Sequence, residues 1–259
     1  MKKKIMVVML LAGISALVAV GCGESKKQES TGSEKENTLE GNGTTNEEQD
    51  KQDGNEESAD KNTVEPLDLS NVNIGDVVVL GTNITRDINK SMEWIVADIQ
   101  ETEVLLISKR NVIHKAYHDE RGDITWEKCT LREWLNGEFY DTYFSDEEKA
   151  RIVEKTIENK GTINHKGEEI PGGEITQDKV FLLSTEEVLR YFTTDEDRIV
   201  ECDICQERYN KTNDGYWLRS PGYHESDANL IDSNGTEHIG GLYAATENIG
   251  VRPAMYVKK

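Results

Sequence analysis

The stretch 23–66 decides how much of this chain can fold. It has no aromatic residue and hardly any aliphatic one, and is mostly Glu, Lys, Asn, Ser, Thr and Gly, with some Asp and Gln. Such a segment cannot bury enough apolar surface to offset the entropy of ordering it. The composition predicts a disordered tether over 22–66, flexible and extended by its own charge. Its 13 acids against 5 lysines give −8; removing that and the +3 of Lys2, Lys3 and Lys4 from the chain's −20 leaves about −15 for 67–259. Both parts are acidic and repelled from a polyanion, which excludes nucleic-acid binding as a function class.

Before the tether, Lys2-Lys3-Lys4 leads into an apolar run over 5–20, shorter than the roughly 20 residues of a spanning helix. That reads as a signal peptide over 1–21. Its end, Ala19-Val20-Gly21-Cys22, resembles a bacterial lipobox, although leucine is commonest where Ala19 stands. The resemblance implies cleavage before Cys22, lipidation of that cysteine, and anchoring by acyl chains on the extracytoplasmic face of the membrane.

Everything that can pack lies in 67–259, enough for one domain. The runs 75–81, 92–99 and 104–108 are β-branched and aliphatic and predict three strands, the last two a hairpin around 100–103. Thr130 with Glu133, Ser145 with Glu148, and Ser184 with Glu187 each read as a capping box. They predict about three helices, the second with Ala150, Val153 and Ile157 on one face. The glycine- and proline-bearing interval 161–177 reads as a long loop, and 193–214 as another. The segment Tyr216-Trp217-Leu218-Arg219-Ser220-Pro221-Gly222, the runs 228–232 and 238–244, and the run 251–257 read as short strands. Alternation puts Trp217 and Arg219 on one face and Leu218 on the other. Strands, then helices, then strands predict an α+β domain whose sheet is mainly antiparallel, with the two arginine-bearing segments around Arg219 and Arg252 in one sheet.

These segments together resemble an uncharacterised extracytoplasmic domain of Gram-positive bacterial lipoproteins and surface proteins. The residues that carry the likeness are Trp94-Ile95-Val96, Thr130-Leu131-Arg132-Glu133-Trp134-Leu135-Asn136, Phe181-Leu182-Leu183-Ser184, Trp217-Leu218-Arg219-Ser220-Pro221-Gly222 and Gly250-Val251-Arg252-Pro253-Ala254. No activity comes with that likeness. More distantly, two helices followed by a loop-rich sheet ending in Gly-Val-Arg-Pro look like the C-type-lectin-like and formylglycine-generating-enzyme-like fold. The calcium-site triplets of sugar-binding lectins are absent.

Cys202-Asp203-Ile204-Cys205 is the motif that carries chemistry by itself: in an oxidising compartment it fits a disulfide, local or involving Cys129, a redox pair, or half of a metal site. Its acidic neighbours raise a thiol pKa, and a zinc site needs two further ligands. Thr212-Asn213-Asp214-Gly215 and Asp232-Ser233-Asn234-Gly235 read as tight turns before calcium loops. Arg219 and Arg252 offer planar forks to a ligand carboxylate or, as structural arginines, to a buried glutamate, Glu186 or Glu187 for Arg219. His114 and His118 lack a helix to place them on one face. No Walker loop, dinucleotide fingerprint, nucleophile elbow or zincin motif is present, so the sequence implies no cofactor and no metal.

The reading that fits best is a lipid-anchored recognition module for an extracytoplasmic small molecule, glycan or protein. Its contact surface is expected at Trp217, Arg219, Tyr223 and His224 with the loops 161–177 and 195–214. The opposing reading is an enzyme, a thiol oxidase on Cys202 and Cys205 or a hydrolase.

Overall fold

β-Branched runs open the folded part, as their composition dictates. The computed structural model describes residues 67–83, 90–201 and 213–259. Strand β1 (Val77–Asn83) pairs antiparallel with β2 (Lys90–Ile99), with a register slip between Val79 and Thr82. Gly81 sits at the slip with φ +74°, its N–H donating to Glu148 Oε1 at 2.7 Å. A Cβ there would meet Met92 at 2.6 Å and Phe144 at 2.8 Å, so both the bulge and the packing demand glycine. β3 (Glu103–Ser108) follows by the predicted hairpin, the Gln100 N–H donating to Glu103 O. β4 is the short strand Ile113–His114.

The first helical run joins α1 (Thr130–Trp134), a π-type turn (Leu135–Phe139) and α2 (Tyr140–Tyr143). Its start differs from the predicted box at Thr130. Cys129 is the cap, its Sγ accepting from the Arg132 N–H at 3.4 Å, while the Thr130 hydroxyl accepts from Asp119 N–H. At 2 % exposure this cap site suits a thiol, which is easier to bury than a hydroxyl. The boxes at Ser145 and Ser184 form as predicted, opening α3 (Asp146–Lys149) and, further on, α4 (Thr185–Tyr191).

The helix face expected from Ala150, Val153 and Ile157 does not exist. After Lys149 the chain becomes β5 (Ile152–Val153) and β6 (Lys155–Ile157). Ile152, Val153, Thr156 and Ile157 are β-branched, and strand partners for them lie at the C-terminus and at 176–178, so pairing overrides the 3.6 spacing. The interval 161–177, read as loop, holds a hairpin of β7 (Thr162–Ile163) and β8 (Glu169–Ile170), then the start of β9 (Thr176–Asp178). Asn164 builds its turn, Oδ1 accepting from Lys166 N–H at 2.9 Å and Glu168 N–H at 3.0 Å. Likewise α5 (Asp195–Arg198), β10 (Val200–Glu201) and β11 (Asn213–Asp214) occupy part of the interval read as irregular.

β12 (Tyr216–Pro221), β13 (Asp227–Ile231) and β14 (Glu237–Tyr243) follow as predicted. Between the last two, Asp232 Oδ1 accepts from Asn234 and Thr236 N–H and Gly235 takes φ +81°, a tight turn. Asp214-Gly215, by contrast, is no turn, because Asp214 belongs to β11. The final strand expected over 251–257 is two, β15 (Gly250–Val251) and β16 (Ala254–Lys258), in different sheets.

One sheet runs β1-β2-β3-β16-β5 and the other β14-β13-β12-β15-β4. Within them only β12 and β15 pair parallel, Tyr216 opposite Gly250, so the sheets are mainly antiparallel and the fold is α+β. The two arginine segments do share a sheet, and Arg252-Pro253 is where the chain crosses to the other. Arg252, 3 % exposed, donates from Nε to Ser108 O of β3 at 2.9 Å and from Nη1 to the Tyr216 hydroxyl of β12 at 3.1 Å, tying the two sheets together. Its guanidinium also lies 4.5 Å from the Phe192 ring centroid and 5.0 Å from that of Tyr216.

Trp94, Trp126 and Trp217 are fully buried, and each indole N–H is satisfied: by Leu80 O, Asp178 Oδ2 and Lys115 O respectively. Asp178 is a buried carboxylate answered by three donors, Trp126, Thr176 and Arg132. Among the described residues no helix is long and apolar enough to cross a membrane.

Candidate functional site

Burial of both faces of β12 sets the chemistry of Arg219. Tyr216 through Arg219 are all buried, so the predicted alternation yields no exposed face, and Arg219 is 6 % exposed. A guanidinium so placed needs a counter-charge. Glu187, on the first turn of α4, supplies it: Nη2 donates to Oε1 at 2.9 Å and Nη1 donates to Oε2. Nη1 also donates to Leu182 O at 2.9 Å, so the arginine pins the chain before α4 to the second sheet. Glu187 Oε2 completes the capping box by accepting from Ser184 N–H at 2.9 Å. Burial alone would raise the Glu187 carboxyl, but the hydrogen bonds and charge of Arg219 outweigh it and hold the pKa below its ordinary value. The Nε–H of Arg219 is buried and has no partner.

Above this pair lies a cleft of about 520 Å³. One wall is β6 and the residues after it, Glu158 and Lys160; the second is α4; the third is formed by Ser220, Pro221, Asn229, Glu237 and Ile239 from β12, β13 and β14. Lys160 Nζ meets Glu186 at 2.9 Å across the first two walls. On the third wall Asn229 donates to Thr185 Oγ1 at 2.8 Å and Glu237 Oε1 at 3.0 Å, fixing the orientation of all three. Phe181 and Tyr256, ring centroids 6.0 Å apart, close one end, with Lys155 Nζ 4.6 Å from the Tyr256 centroid. Burial first, then the neighbouring Tyr191 and Glu187, push the Tyr256 phenol well above its ordinary pKa, so at neutral pH it keeps its proton.

The residues expected to form one surface separate. Arg219 lines the cleft, but Trp217 is fully buried and presents nothing to a ligand. Tyr223 and His224 sit on the turn after β12, outside the cleft lining, with the Tyr223 ring 5.4 Å from that of His165. Arg252 is a sheet-to-sheet tie whose partners are a carbonyl, a phenol and two rings, where a glutamate was expected. Cys202, Cys205 and Cys22 lie outside the described residues. Cys129 is a free thiol, in no disulfide, and burial pushes it up to about 12. His114 Nε2 lies 2.6 Å from Asp214 Oδ2, and His118 Nδ1 accepts from Thr130 N–H. Among the described residues no three His, Cys, Asp or Glu side chains are placed to hold a metal ion.

Sequence reasoning missed Asn229, Glu237, Ile239, Lys160 and Thr185. They come from three separate elements and the segment after β6, with no common spacing, and only the pairing of α4 with Arg219 pointed toward them.

The chain matches a family model described as a domain of unknown function, DUF6273, over residues 102–259. No curated protein and no solved structure matches it.

Proposed function

The chain belongs to the DUF6273 family, whose description assigns no activity, and we propose a membrane-anchored extracytoplasmic recognition module that binds a small polar molecule in the α4–β6–β14 cleft. The observation that carries this reading is the cleft itself. At about 520 Å³ it falls in the range of small-molecule sites, roughly 300–1,000 Å³. Its polar groups converge from strands and a capped helix and are held by each other, which is the preorganisation a binding site needs.

The anchoring part of the proposal rests on the basic start, the apolar run 5–20 and Cys22 in its lipobox-like setting, with acidic 22–66 as the spacer. The place among lipoproteins and surface proteins of Gram-positive bacteria rests on the Trp217-to-Gly222 and Gly250-to-Ala254 segments. A C-type-lectin-like arrangement is the finer architecture we favour. In support of that reading, the helical run 130–143 and α3 precede β12 to β15, and β15 leads into Arg252-Pro253.

Two variants test the proposal. Cys22→Ala should move the protein from the membrane fraction to the soluble fraction. Ile239→Trp fills the cleft from a side chain that is 56 % exposed, so folding should be untouched. In a thermal-shift screen of polar small molecules, compounds that stabilise the parent protein should lose their effect on this variant. Membrane retention of Cys22→Ala refutes the anchor; equal stabilisation of both proteins refutes the site.

A further inference from the structure

Most charges lining the cleft are paired: Lys160 meets Glu186, Arg219 meets Glu187 and Lys155 meets Glu103. Arg190, Glu237 and Glu158 also line it and make no ion pair among the described residues. Arg190, exposed on the last turn of α4, donates to the neutral Tyr191 hydroxyl and lies 4.6 Å over that ring. Glu237 on β14 accepts at Oε1 from the Asn229 amide, which is neutral as well. Glu158 is exposed on the first wall and acts on Lys160 behind Glu186.

Arg190 and Glu237 stand at different ends. Asn229, which holds Glu237, donates at 2.8 Å to Thr185, the first residue of α4, and Arg190 comes five positions later. At 1.5 Å of rise per residue that separates them by about 7.5 Å along the helix axis. Tyr191, which Arg190 reaches, is also the neighbour that, after burial, pushes up the phenol of Tyr256 at the closed end with Phe181. The cleft is therefore basic at that end and acidic at the β13–β14 wall.

A ligand that fills the cleft takes water away from both charges. A neutral molecule replaces that hydration at neither end and an ion of one sign replaces it at one end, while a zwitterion of matching length replaces it at both. Zero net charge also lets the zwitterion approach a chain of net charge −20, which repels anions. A free α-amino acid carries its ammonium and carboxylate on one carbon and cannot reach both ends. An extended peptide rises about 3.3–3.6 Å per residue, so two or three residues cover the separation. Arginine takes a terminal carboxylate through two parallel N–H bonds, and Glu237 accepts from an ammonium. Between the ends, the Ser220 hydroxyl accepts from Thr185 N–H at 3.0 Å and keeps its own proton for a peptide carbonyl. Ile239 and Pro221 add apolar surface for side chains.

We infer that the cleft binds a peptide of two or three residues with both ends free, its ammonium at Glu237 and its carboxylate at Arg190. The inference rests on the cleft being the binding site and adds the ligand class.

The test is calorimetric titration of the mature chain at pH 7 with dialanine, trialanine and alanyl-phenylalanine, each also as its N-acetyl and its C-amide form, and with alanine and maltotriose. The expected result is that at least one free peptide binds and that blocking either end weakens it by about tenfold, the effect of losing one charge-assisted contact. Arg190→Gln should erase the preference for the free carboxylate and keep that for the free amine; Glu237→Gln should do the reverse. A merely structural role would weaken all forms alike. Equal binding of free and blocked peptides, variants that lose both preferences together, binding of alanine or maltotriose alone, or no binding at all overturns the inference. The site survives that outcome when the Ile239→Trp screen still finds a cleft-dependent compound, and falls with the inference when it finds none.

Discussion

Replacing Glu187 by glutamine should cost the domain about 3 kcal/mol, because it strands a guanidinium that almost no water reaches. Glutamine keeps the volume of the side chain and one oxygen, so packing is preserved. The loss is electrostatic. Arg219 is 6 % exposed and its two outer nitrogens both point at the Glu187 carboxylate. In the variant one of them, or the Ser184 N–H that Oε2 now accepts, faces an NH₂ group. Breaking a buried pair from one side costs about 3–5 kcal/mol. The Glu187 side chain is 27 % exposed, so water repays part and the lower end applies. With a urea dependence of about 2 kcal/mol/M, the midpoint should fall by about 1.5 M. Adding Arg219→Met removes the stranded charge, and the double variant should regain stability relative to Glu187→Gln. The same pair predicts a pH dependence. Because the folded-state carboxyl lies below its ordinary value of 4.5, its contribution is complete above about that pH and disappears as pH falls through the lower, folded-state value. Equilibrium unfolding followed by far-ultraviolet circular dichroism measures both effects. A Glu187→Gln midpoint within about 0.2 M of the parent would refute the reasoning.

Three further outcomes follow from the same structure. Asp178→Ala removes the acceptor of Trp126, Arg132 and Thr176 at a site with no exposure, and should cost about 3–5 kcal/mol in the same unfolding assay. Gly235→Ala should cost more than about 1 kcal/mol, since φ is +81° and the new methyl runs into the Asp195 carbonyl; a neutral result would mean that the turn does not dock on α5. Cys129, buried and pushed up to about 12, should escape iodoacetamide at pH 8 in native protein and react fully in urea, as peptide mapping would show.

The helix starts at Ser145 and Ser184 were legible because a capping box is local: hydroxyl, carboxylate and three-residue spacing suffice. The strands of β-branched residues were legible for the same reason. Ala150, Val153 and Ile157 misled because their helical spacing competes with strand partners far away in the chain, which spacing cannot report. The division of 251–257 between two sheets was hidden likewise. Pro253 marks a break, but only the tertiary positions of Ser108 and Tyr216 show that Arg252 ties across it. Of the candidate site, the Arg219–Glu187 pairing was legible from charge alone, since a buried arginine demands an acid and α4 offered two. Trp217 was misplaced because an aromatic next to an arginine reads equally as contact surface and as core. Asn229, Glu237 and Ile239 carried no signal, as the cleft exists only once four strands and a helix come together.

The most direct test of the account is amide chemical-shift mapping of the mature chain with whichever polar compound stabilises it most. The account predicts that perturbed residues gather at Thr185, Asn229, Glu237 and Ile239. Perturbation centred on Tyr223 and His224, with those four unmoved, would contradict it.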